Sequence, residues 1–168
     1  MEFEEAKNKF VQTWGALGSQ WGINKTMAQI HAFLMVSDEL VSMEEIMEDL
    51  QISRGNASMN LRSLIDWGIV YKEYKPGERR EFFYAEKDLD ELAVKIAKER
   101  SKREIKPALK VLKEVSTYKA SKTSKEEQHF VQQTEKLYDF VLRADNMLDK
   151  MTEYKDNWLA KLMMKLMK

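Results

Sequence analysis

The chain has 168 residues, 43% of them hydrophobic and 33% charged, and its 28 basic and 28 acidic side chains leave a formal net charge of zero. That length makes one domain, or a small module with an appendage, and the composition excludes disorder and collagen. The longest apolar runs, such as Phe82 to Ala85, fall far short of the about 20 residues of a spanning helix. The acidic start MEFEEAKNKF lacks the apolar core of a signal peptide, so a cytoplasmic protein without membrane association is expected.

Enzyme chemistry has little to stand on. No cysteine is present, which excludes disulfides, thiolate zinc sites and a cysteine nucleophile. His31 and His129 are far apart, neither lies in an H-E-x-x-H frame, and no G-x-S-x-G, Walker A or G-x-G-x-x-G pattern occurs. The chain is therefore not read as an enzyme, and no catalytic residue, metal or cofactor is expected. His31, inside the apolar stretch Ile30 to Val36, reads as a satisfied core or interface histidine.

In chain order, Phe3, Phe10, Trp14, Leu17 and Trp21 mark one face of a first helix, and Trp14 and Trp21 are expected in the core with the rest of that stripe. Gly15 and Gly18 allow another helix to approach closely. Asn24 suits the N-cap of a second helix with Met27, Ile30, Phe33 and Leu34 inward. Ser42-Met43-Glu44-Glu45 has the S-x-x-E form of a capping box and opens a third helix with Met43, Ile46, Met47 and Leu50 on one face. After a tight turn, Ser53 caps a fourth helix that Gly68 closes, so the pair reads as a helix-turn-helix. On the fourth helix Ala57, Leu61, Leu64 and Ile65 share the inner face. Gly55, Asn56, Met59, Arg62 and Ser63 form the outer arc, with Ser58 and Asn60 at its edges. A merely solvated face favours Glu and Lys for their helix propensity; this arc is short, polar and nearly uncharged, as suits entry into a groove.

Two strands follow, 69–74 and 80–84, joined by Lys75-Pro76-Gly77-Glu78-Arg79, whose Pro-Gly centre favours a type II turn. The fold class predicted is mainly α with a small β-hairpin wing: a winged helix-turn-helix domain over residues 1–87, then a helical dimerisation arm over 88–168. Arginine at a projecting wing tip suits a narrow, negative minor groove. Within the arm, a helix from Asp88 to Ser116 should kink at Pro107, a loop spans 116 to 125, and a last helix starts near Ser124. That helix carries Phe130, Leu137, Val141, Ala144, Leu148, Met151, Trp158 and Leu162 at near-heptad spacing, the mark of a dimer or intramolecular seam.

Zero net charge hides an asymmetry. Residues 1 to 52 hold nine acids against three bases, 53 to 85 six bases against four acids, and 95 to 125 eleven bases against three acids. Overall neutrality limits non-specific attraction to nucleic acid, which fits a regulator better than a DNA packager.

The strings WGALGSQWGINKTMAQIHAFL, SRGNASMNLRSLIDWGIVYK, KPGERREFFYAEKDL and RSKREIKPALKVL, over roughly residues 10 to 115, resemble the GbsR-like branch of the MarR-type winged-helix transcriptional regulators. The departure is Asp90, where relatives commonly carry an aromatic residue after Asp-Leu. The resemblance implies a homodimeric regulator of double-stranded DNA, usually a repressor, on a pseudo-palindromic operator. It also implies, for some members, sensing of choline or a related osmolyte. A cage for such a cation could draw on Trp14, Trp21, Tyr118 and Trp158. Ser53, Arg54, Ser58 and Asn60 are expected at phosphates. Asn56 and Arg62 are expected at base edges, adenine and guanine respectively, with Ser63 beside them on the arc, and Lys75, Arg79 and Arg80 in the minor groove. The alternative is a winged helix that docks a protein partner and reads no DNA.

Overall fold

The computed structural model describes residues 1–166, with side chains through residue 150. Helix α1 (Phe3–Gln20) packs on α2 (Lys25–Val36), β1 (Val41–Ser42) leads into α3 (Met43–Leu50), and α4 (Arg54–Asp66) follows a tight turn. Strands β2 (Val70–Tyr74) and β3 (Glu81–Ala85) form the hairpin, and β1 adds to the other edge of β3, giving the antiparallel order β1-β3-β2. Val41 pairs with Phe83, and Tyr74 with Glu81 beside the turn. The two-residue β1 is too short to show an alternating pattern, so it was not foreseen.

Local chemistry sets the boundaries. Asn24 accepts from the Met27 backbone N–H at 3.1 Å. The reciprocal box between Ser42 and Glu45 forms, with Ser42 N–H donating to Glu45 Oε2 at 2.7 Å, and a cap of this kind contributes about 1 kcal/mol. Ser53 caps α4 by accepting from Asn56 N–H at 3.3 Å. Gly77 takes φ +82° at the second central position of the wing turn, and Glu78 N–H donates to Lys75 O at 3.1 Å, which is the expected type II turn.

Helix α2 is the hub, with Met27, Ala28, Ile30, His31, Ala32, Phe33 and Leu34 all buried. The core of this first unit, Met1–Lys95, gathers Ile30, Leu34, Ile46, Leu61, Leu64, Val70, Phe82 and Phe83. Adjacent strand residues point to opposite faces, so burying both Phe82 and Phe83 requires cover on each side of the wing. Over Phe82 that cover includes Lys75 Nζ, 4.3 Å from the ring centroid, and the Arg80 guanidinium at 5.1 Å.

Helix α1 corrects one expectation. Its buried face is Val11, Gly15 and Gly18, whereas Phe3, Phe10, Trp14 and Trp21 are exposed, Trp21 by 56%. A Cβ at Gly15 would come within 2.5 Å of Gln29 Cγ, and one at Gly18 within 2.5 Å of Ala28 Cβ, so the small residues set the contact with α2. The aromatic stripe faces away from the core. His31 is buried as expected, but its Nε2 finds no hydrogen-bond partner among the described residues. Burial, with Lys87 adding to it, lowers the His31 pKa to about 4.

The second unit, Ile96–Lys168, is helical through most of its described residues. Helix α5 (Leu89–Arg100) enters it and gives way to a π-helical turn, Ser101–Ile105, before α6 (Lys106–Ser116). The irregularity expected at Pro107 thus lies one turn earlier, where wider winding accommodates a residue that lacks an N–H and crowds the preceding turn. Ser101 Oγ donates to Asp145 Oδ1 at 2.5 Å in a buried pair with α7 (Lys125–Leu166). The predicted α7 stripe divides: Val141 and Leu148 are half-buried, while Phe130, Leu137 and Ala144 are exposed, as are Phe140 and Met147 outside it. Met151, Trp158 and Leu162 lie outside the residues whose side chains are described. No helix of the described residues is long and apolar enough to cross a membrane.

Candidate nucleic-acid interface

Helix α4 projects Gly55, Met59 and Arg62 to solvent, with Asn56, Ser58 and Ser63 half-buried at the flanks. Met59 is 60% exposed, a large apolar side chain that its own chain leaves mostly uncovered. Gly55 weakens a helix by about 0.5–1 kcal/mol relative to alanine, yet a Cβ there would meet nothing within 4 Å. Packing inside the chain therefore gives no reason for a glycine; close approach of something outside it does.

The sequence-predicted cations divide by their partners. Arg54 Nη2 binds Glu44 Oε1 at 2.6 Å, across the turn from α3. A backbone hydrogen bond and this guanidinium hold the Glu44 carboxyl below its ordinary pKa. Arg80 pairs with Glu78 and also lies on Phe82, and Lys75 lies on the same ring. Arg62 and Arg79 are exposed and make no ion pair among the described residues. They are the cations of the helix and the wing that stand uncommitted.

Two other predicted residues differ from expectation. Asn60, expected at a phosphate, is 3% exposed, and its amide turns onto Asn56. Ile65, expected on the inner face, is 37% exposed instead. The buried stripe of α4, Ala57, Asn60, Leu61 and Leu64, is turned by about 40° from the predicted one, which takes Asn60 in and leaves Ile65 out. Ile65 lines an open groove of about 350 Å³ between α4 and the wing, together with Arg62, Lys72 and Phe83.

A polar cluster that the sequence reading missed fixes the root of the wing. Tyr71 Oη donates to Glu86 Oε2 at 2.7 Å, and Lys95 Nζ donates to both, at 2.6 Å to Tyr71 and 2.9 Å to Glu86. The Tyr71 and Lys95 hydrogen bonds pull the Glu86 pKa down to about 2. Burial opposes the charge on Lys95, but its bonds to Tyr71, Glu86 and Glu91 outweigh that and raise its pKa. Lys87 Nζ donates to the carbonyls of Leu34, Met35 and Ser37, which satisfies the C-terminus of α2. These side chains come from residues close in space and far apart in sequence, so no local pattern marks them.

Of the aromatic residues named for a cation cage, Trp14 lies exposed on α1, its ring tilted against Phe10 at 5.6 Å, and Trp21 lies exposed at the C-cap of that helix. Tyr118 belongs to the second unit, and the Trp158 side chain is outside the described residues.

No family model matches the chain. The HTH-type transcriptional repressor GbsR of Bacillus subtilis (strain 168) is 27% identical over 85 residues, which are 51% of this chain and 47% of that protein. The chain thus matches about half the length of that relative. Among solved structures, a crystal structure of a transcriptional regulator superposes with a TM-score of 0.68 at 18% identity, covering 90% of this chain and 99% of that one. At such identity the likeness is one of fold. The chain is similar in sequence to GbsR over about half its length and shares its winged helix-turn-helix fold with that solved transcriptional regulator.

Proposed function

We propose that the chain is a sequence-reading transcriptional regulator, a repressor by its likeness to GbsR, that binds double-stranded DNA as a homodimer. The observation that carries this reading is the outer arc of α4. It presents a glycine with open space above it, a bare Met59 and an unpaired Arg62, beside a wing whose tip holds the unpaired Arg79. Such an arc fits base edges in a major groove, where Arg62 meets guanine O6 and N7 and Met59 meets a thymine methyl. Ser53 and Arg54 at the start of α4, with Ser58 at its flank, suit phosphates, and Ser63 borders the arc. Lys75, Arg79 and Arg80 suit the adjoining minor groove.

One α4 spans only a few base pairs, so a second copy is needed for affinity and for a unique site. The exposed α7 series Phe130, Leu137, Phe140 and Met147, and the exposed α1 series Phe3, Phe10, Trp14 and Trp21, supply apolar area for it. Residues 1–87 serve on this reading as the DNA-binding domain and 88–168 as the dimerisation arm. A choline-like effector has its support in the resemblance alone, and isothermal titration with choline tests it directly.

Selection from a random duplex library tests the reading as a whole. Two related half-sites about 34 Å apart, one turn of B-DNA, are expected. A pool without a shared sequence would instead favour a winged helix that docks a protein.

A further inference from the structure

Helix α4 contains an amide pair that settles which atom of Asn56 faces outward. Asn60 is 3% exposed, and its Nδ2 donates both to Asn56 O, at 2.8 Å, and to Asn56 Oδ1, at 2.7 Å. A backbone carbonyl only accepts, so the Asn60 amide must turn its NH2 group toward it. The second hydrogen of that same group then requires an acceptor from the Asn56 side chain. Asn56 is thereby held with its oxygen inward and its nitrogen outward, an orientation assigned by the network rather than by the atoms' appearance. Asn56 is half-buried at the edge of the outer arc, and no acceptor among the described residues meets its Nδ2.

An asparagine that recognises adenine in the major groove uses both ends, accepting from N6 and donating to N7. With Oδ1 turned onto Asn60, the outward end is a donor alone. Guanine, which offers O6 and N7 as adjacent acceptors, matches it best; thymine offers O4 alone beside a methyl group, adenine N7 beside an N6 amine that an outward donor opposes, and cytosine only its N4 amine. This replaces the sequence expectation that Asn56 favours adenine. We propose that Asn60 is a positioning residue for specificity, which locks Asn56 as a hydrogen-bond donor and so selects guanine over adenine and cytosine at one base pair. The proposal rests on the reading that α4 enters the major groove.

The alternative role for Asn60 is an internal strut of the helix, and base preference separates the two. The full chain and its Asn56→Ala, Asn60→Asp and Asn60→Leu variants are each selected against the same duplex library, with circular dichroism melts to confirm folding. Wild type should enrich guanine at the position that Asn56→Ala relaxes. Asn60→Asp places an acceptor beside Asn56, which turns its amide over, so enrichment should move to adenine or cytosine by roughly tenfold. Asn60→Leu buries no charge and removes the lock, so the margin at that position should shrink severalfold while the rest of the site is kept.

A folded Asn60→Leu chain with the wild-type preference at that position overturns the proposal, as does an Asn56→Ala chain with an unchanged profile. In both cases the remaining sequence preference leaves the DNA-reading function standing. A wild-type chain that enriches no sequence overturns the parent reading and this one with it.

Discussion

Arg54 and Arg62 lie two turns apart on one helix and meet different surroundings. Arg54 is held by Glu44 at 2.6 Å, so a phosphate must displace a carboxylate to gain it. Both side chains of that pair are half-exposed or more, and an exposed pair of this kind contributes little to stability. Arg62 has no such competitor, which makes it the cation of α4 free to read a base. Arg62→Ala should therefore weaken binding to the selected duplex by about 1–3 kcal/mol and relax preference at one base pair. Competition anisotropy with single-substitution duplexes measures this; an equal loss on every sequence would reassign Arg62 to a phosphate.

At the scale of elements, the acid-sensitive point is α2, the helix against which α1, α3, α4 and β3 pack. The His31 pKa falls to about 4 from an ordinary 6.5, so the unfolded chain takes up a proton first as pH drops. The stability of the neutral imidazole is fully present above about pH 6.5 and is lost progressively as pH falls toward 4. Glu86 extends the same trend lower, from its ordinary 4.5 down to about 2. His31→Leu removes both the titration and a buried nitrogen without a partner. It should flatten the upper part of the profile and stabilise the neutral protein by about 1 kcal/mol, as read by urea unfolding across pH. An unchanged slope between pH 6.5 and 4 would count against the burial argument.

The elements themselves were legible because their ends carry local chemistry: Asn24, Ser42 with Glu45, Ser53, and Pro76-Gly77 each satisfy or turn the backbone within a few residues. The orientation of α1 was not, since both its aromatic stripe and its glycine face are periodic. Only the contact with α2 decides between them, and the glycines at 15 and 18 were the available signal. The outer face of α4 was legible as an arc, Gly55 to Ser63, and misjudged at its edges, where Asn60 is buried and Ile65 exposed. Tyr71, Glu86 and Lys95 form a cluster across long sequence separations that a single sequence does not mark.

On the scale of the whole molecule, neutrality bears on the proposed dimer. A chain with zero formal charge gains little from non-specific counterion release, so affinity must come from paired, geometrically matched contacts. Phe140 is 64% exposed on α7 and contributes little to the fold of a single chain. Phe140→Glu should shift the protein from dimer to monomer in light scattering and weaken DNA binding roughly 10²-fold through lost bivalency, while retaining helical content. A dimer that survives the substitution would place the interface elsewhere. Sequence-reading by the proposed pair of α4 helices is measured by fluorescence anisotropy of the selected duplex and a scrambled one of equal composition at two salt concentrations. Tight binding of the selected duplex is expected, with its margin over the scrambled one preserved as salt rises. Equal binding of both, falling together with salt, would contradict it.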